Sequence, residues 1–130
     1  MTRKIIGLAG SIRRPSKTRA LVTSLVAETA RQCGGANAVY DVLDLMPDLG
    51  TCLFRSDASP KLERILQEIE SADALIVASP VYKGSYGGLF KHLIDLLDPN
   101  SLLERPVLIA ATGGGQRHAL MVEHQMRPLF

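Results

Sequence analysis

Ile5-Ile6-Gly7-Leu8-Ala9-Gly10-Ser11-Ile12-Arg13-Arg14-Pro15-Ser16-Lys17-Thr18 is the stretch on which the fold of this 130-residue chain turns. An apolar run stops at Gly10, and a helical pattern begins just after Ser16. The loop between them brings together the hydroxyls of Ser11, Ser16 and Thr18, the guanidinium groups of Arg13 and Arg14, and Lys17. A strand that hands such a loop to a helix N-terminus builds an anion site. The first-turn N–H groups lack intrahelical partners, and the helix dipole adds its positive end. Neither G-x-G-x-x-G nor G-x-x-x-x-G-K-[ST] is present, so a terminal phosphomonoester is the natural guest. Read alone, the same residues also describe a basic surface loop with Ser16 as an ordinary N-cap.

Outward from the loop, Leu21, Val22, Leu25, Val26 and Thr29 recur at helical spacing, and Gly34-Gly35 ends that helix. Residues 38–45 alternate and are rich in β-formers, predicting a second strand. Residues 46–60 lack a clear period and read as a long loop, either a lid or a plain connector. Leu62, Ile65, Leu66 and Ile69 mark a helix, and Ala72–Ser79 is a continuous apolar strand of the kind buried on both faces. Pro80-Val81-Tyr82-Lys83-Gly84-Ser85 follows, then a helix carrying Leu89, Phe90, Leu93, Ile94 and Leu97. Residues 106–111 form a fourth strand that opens into Thr112-Gly113-Gly114-Gly115. A last helix is expected from about His118, with Ala119, Val122 and Met126 facing the sheet.

This order, βαβαβαβα, requires a parallel sheet with helices on both faces, since parallel strands need crossover helices. Ligands in such sheets sit at the carboxyl ends of strands. Three unusual loops, 10–18, 79–88 and 112–117, fall there. The first suits a phosphate. The second offers Tyr82, Lys83 and exposed backbone at Gly84 to a flat ring, and the third lets backbone approach the ring's far end. Phosphate at one end and a planar heteroaromatic at the other describe FMN.

Composition narrows the class. A net charge of +2 is too small to argue for nucleic acid, and no apolar run reaches the ~20 residues of a membrane span. Cys33 and Cys52 form no C-x-x-C pair and read as reduced thiols of a cytoplasmic protein. His118 and His124 stand about 240° apart around a helix, so they cannot share a metal. No metal site is expected, His92 is expected at the surface, and no acid–base residue is assigned.

Gly10-Ser11-x-Arg13-x-x-Ser16-x-Thr18, Ser79-Pro80-Val81-Tyr82-Lys83-Gly84-Ser85 and Ala111-Thr112-Gly113-Gly114 together resemble the NAD(P)H-dependent FMN reductase family. The resemblance is strongest to the reductases of bacterial alkanesulfonate and methanesulfonate monooxygenase systems. It implies a flavodoxin-like three-layer α/β/α sandwich with parallel strand order 2-1-3-4. It implies FMN phosphate on Ser11, Arg13, Ser16 and Thr18, and the isoalloxazine with its ribityl neighbourhood on Pro80, Val81, Tyr82, Lys83, Gly84 and Ser85. Thr112, Gly113 and Gly114 would close the far side. NADPH or NADH would donate the hydride, a flavin-dependent monooxygenase would receive reduced FMN, and subunits would form a homodimer or homotetramer. A quinone, azo-dye or metal-ion reductase of the same fold, or a flavodoxin-type carrier, is the alternative. The fold has five strands where four are counted, so the single domain over residues 1–130 is expected to be C-terminally shortened, with strand 106–111 as an uncovered edge.

Overall fold

The computed structural model describes residues 2–130. Four parallel strands, β1 (Lys4–Ala9), β2 (Ala36–Asp41), β3 (Ala74–Pro80) and β4 (Val107–Thr112), lie in the order β2-β1-β3-β4. The helices are α1 (Lys17–Cys33), α2 (Asp48–Thr51), α3 (Pro60–Ser71) and α4 (Gly88–Leu96). This is the expected α/β sheet and order.

Strand alternation sorts the side chains into two cores. Ile5, Ala9, Ile76 and Ala78 meet Val22 and Val26 of α1 on one face. Ile6, Leu8, Leu75 and Val77 meet α3 and α4 on the other, through Leu62, Leu66, Phe90 and Leu93. Gly7 lies on the α1 side, where a Cβ would stand 2.5 Å from Val22 Cγ1 and 2.7 Å from Val26 Cγ2. Only a glycine lets α1 sit this close to β1. Gly34, in the left-handed region at φ 66°, ends α1 as the sequence indicates.

Several boundaries differ from the sequence reading, each for a local reason. β2 stops at Asp41, because the Asp41 carboxylate accepts from the Asp44 N–H while the Asp44 carboxylate accepts from the Asp41 N–H. That reciprocal capping box turns Val42–Leu45 into a 3₁₀ helix. The stretch 46–60 is no irregular loop. α2 buries Leu49 within it, and Arg55 is fastened to Glu63, to Glu70 and to the Leu96 carbonyl. His92 is half-buried rather than at the surface, with its Nε2 2.7 Å from the Cys52 carbonyl oxygen.

The C-terminal segment is helical but not α-helical. A π-helix, Val122–Met126, lies between 3₁₀ turns Gln116–His118 and Arg127–Leu129. The buried pair is therefore Met121 and Met126, five apart, as a π turn's wider period requires. Ala119, expected to face the sheet, is exposed, and Val122 is half-buried. On the α1 side of β4, Leu108 is exposed, and β4 has no second strand partner among the described residues.

Candidate functional site

Strand order reverses between β1 and β3, and the loops after β1, β3 and β4 meet above that switch point. Direct bonds join them. Gly10 N–H donates to Ala78 O at 2.7 Å, Val81 N–H donates to Thr112 O at 3.1 Å, and the hydroxyls of Thr18 and Thr112 lie 2.7 Å apart. All three loops picked out in the sequence thus contribute to one surface.

On the first loop, Ser11 is buried, yet its Oγ has no hydrogen-bond partner among the described residues. A desolvated hydroxyl without a partner costs about 1–3 kcal/mol, so this group is placed to bond a water or ligand oxygen. Ser16 caps α1, its Oγ accepting from the Arg19 N–H at 3.0 Å, which leaves the hydroxyl hydrogen free to donate outward. Thr18 is buried and engaged with Thr112. Arg13 and Lys17 are exposed and make no ion pair among the described residues. Arg14 behaves differently. Its guanidinium turns to Asp41 and Asp44, so the Arg13-Arg14 pair divides into one cation unpaired among the described residues and one tethered one.

The second loop begins at Pro80, the last residue of β3. Ser79, wholly buried, donates to the Pro80 carbonyl and accepts the Gly87 N–H at 3.1 Å, drawing both ends of the loop together. Tyr82 and Ser85 exchange backbone bonds at 2.8 and 3.0 Å around Lys83 (φ 51°) and Gly84 (φ 75°). Two successive positive φ values are the pattern of a type I′ turn. Gly84 is therefore required by backbone conformation, and a Cβ there would meet no protein atom within 4 Å. Ser85 Oγ donates to Gln125 Oε1 at 3.1 Å, linking the loop to the π-helix. Tyr82, Gly10, Ile12, Gly87, Gly88 and Leu89 line a largely apolar hollow of about 270 Å³.

On the third loop, Thr112 is half-buried, while Gly113 and Gly114 are exposed. A Cβ on Gly113 would come within 3.3 Å of Val81, whereas one on Gly114 would meet nothing. Sequence reasoning missed Ile12, Gly87, Leu89 and Asp41 around this surface. For Gly87 the signal was present, since Ser79 and Gly87 bracket the quoted motif.

These features fit a flavin mononucleotide: a hydroxyl-rich, cationic helix start for the phosphate and a largely apolar hollow on the same loop. The family description "NADPH-dependent FMN reductase" matches residues 3–130. The chain belongs to that family. Its activity class is accordingly NAD(P)H:FMN oxidoreductase. It is 50% identical over 127 residues to an FMN reductase (NADPH) of Pseudomonas aeruginosa, covering 98% of this chain and 68% of that one. It is 48% identical to an NADH-dependent FMN reductase of Pseudomonas fluorescens, with the same coverage. Among solved structures, an apo NADH:FMN oxidoreductase superposes with a TM-score of 0.90 at 34% identity, covering 98% of this chain and 67% of that one. No helix among the described residues of this FMN reductase family member is long and apolar enough to cross a membrane.

Proposed function

We propose that FMN seats its phosphate on loop 10–18 and its ring in the Tyr82 hollow, is reduced there by NADPH or NADH, and leaves for a partner flavin-dependent monooxygenase. The observation that carries this reading is the buried Ser11 hydroxyl, without a partner among the described residues, in a loop to α1 whose Arg13 and Lys17 are exposed and make no ion pair among those residues. Ser11 and Ser16 supply hydroxyl hydrogens to phosphate oxygens, Arg13 supplies charge, and the α1 N-terminus supplies N–H groups. Thr18 acts through Thr112, holding the first and third loops together. Tyr82 and Leu89 give the ring an apolar surface, and the turn at Lys83-Gly84 fixes how Tyr82 is presented. Bound FMN would supply the redox chemistry by accepting a hydride, so the protein's work is binding, orientation and exclusion of water. No general base is needed, and none is assigned.

The test is steady-state oxidation of NADH and NADPH with and without added FMN. Turnover that depends on FMN is expected with at least one nucleotide. FMN-independent oxidation, or none at all, would refute the reading. The relatives carry both nucleotide preferences in their names, and comparing the two rates assigns this chain's own.

The same reading includes subunit association through α4 and the C-terminal segment. Leu120 is 62% exposed beside the π-helix, an apolar group that a second subunit would cover. Met121, buried inside the subunit, is unsuited as a probe. Sedimentation should show a dimer or tetramer at micromolar concentration for the wild type and dissociation for Leu120→Glu. A monomeric wild type would end the proposal.

A further inference from the structure

The end of β2 carries a charged cluster that the flavin reading has not used. Strand register pairs Asp41 with Ala9, so Asp41 stands one strand over from the point where the anion loop leaves the sheet. Its side chain is 0% exposed. A carboxylate can be buried so completely only if it is paired and hydrogen-bonded on both oxygens. Oδ2 accepts from Arg14 Nε at 2.8 Å and lies 2.9 Å from an Arg19 guanidinium nitrogen. Oδ1 accepts from a second Arg14 nitrogen at 2.7 Å and from the Asp44 N–H at 3.0 Å. Asp44 completes the cluster, 2.9 Å from Arg14 and 2.8 Å from Arg19.

Two consequences follow for the loop. Arg14 lies within it and Arg19 in the first turns of α1, so one buried carboxylate ties the loop and the helix start to the sheet. The forked guanidinium contact fixes orientation as well as distance. The second consequence is electrostatic. Residues 13–19 carry the cations Arg13, Arg14, Lys17 and Arg19. Asp41 and Asp44 neutralise Arg14 and Arg19, leaving the charges of Arg13 and Lys17, which match a phosphate dianion.

Resting on the phosphate reading above, we infer that Asp41 is a positioning residue for the phosphate site, holding loop 10–18 against β2 through Arg14 and Arg19. Burial raises its carboxyl pKa, but bonds from Arg14, the Asp44 backbone and Arg19 outweigh that and bring it down to about 2. The clamp is therefore charged throughout the neutral range.

Fluorescence titration of FMN and of riboflavin, which lacks the phosphate, tests this on Asp41→Asn, Arg14→Gln, the double variant and Arg13→Ala. Asp41→Asn and Arg14→Gln should each weaken FMN by about tenfold and leave riboflavin nearly unchanged, the scale of one charge-assisted contact. The double variant should be no worse than the poorer single one, because both break the same clamp. Arg14 is half-exposed, so Arg14→Gln decides the matter if Asp41→Asn fails to fold. Equal losses for both ligands, or unchanged FMN affinity, overturn the inference. If Arg13→Ala discriminates between the ligands and the clamp variants do not, only the clamp fails. If Arg13→Ala does not discriminate either, the phosphate reading falls and takes the clamp with it.

Discussion

Arg13→Ala is expected to weaken FMN binding by about tenfold or more while riboflavin binding stays nearly unchanged, since a bond to a charged group contributes about 1.5–3 kcal/mol. The contrast with Arg14 makes the expectation specific. Both arginines occupy the same loop, but Arg14 is spent on two carboxylates, whereas Arg13 is exposed and makes no ion pair among the described residues. Removing Arg13 thus takes charge from the ligand without opening an internal bond. The fold should be undisturbed, and melting temperatures of the ligand-free wild type and variant should agree. A parallel loss of FMN and riboflavin affinity would show that Arg13 acts on the ring or on the fold instead.

Phe90→Ala should destabilise the domain by about 3–5 kcal/mol, the range for removing a buried aromatic from a packed core. Phe90 is 0% exposed, its ring centroid lies 6.5 Å from that of Tyr86, and its side chain packs under Gly10, where a Cβ would already stand 3.1 Å from the ring. It therefore supports Gly10, where loop 10–18 leaves β1. Chemical denaturation would measure the loss, and a change below about 1 kcal/mol would mean that neighbours collapse into the space. Phe90→Leu, which keeps more of the volume, should lose less.

The parallel sheet and the three loops at its strand ends were legible in the sequence because each rests on a strong local pattern, whereas the strand order came from the family resemblance. The apolar runs at 5–9 and 72–79 read as strands, the second found at Ala74–Pro80, and Ser16 announced its helix. What escaped depended partly on partners distant in sequence and partly on local backbone geometry. Arg13 and Arg14 look alike until Asp41 and Asp44 select one of them. The capping box at Asp41 shortened a strand whose alternation was sound. The π-helix moved burial from Ala119 to Met121, because a 3.6-residue period was assumed where the backbone widened its turn. Gly84 stood out in the sequence as backbone offered to a ring, and its positive φ of 75° adds a conformational reason for glycine that a sequence alone does not display.

Gly7 sets the standing height of α1 above the sheet, and its influence does not stop at the core. That helix begins with the residues proposed to face the phosphate, so the gap at Gly7 works as a gauge block for a surface two turns of chain away. A side chain there would act as a shim, raising Ser16 and Thr18 together while touching neither. Interior spacing and the height of the proposed phosphate site are one dimension of this molecule, held by the absence of a single methyl group.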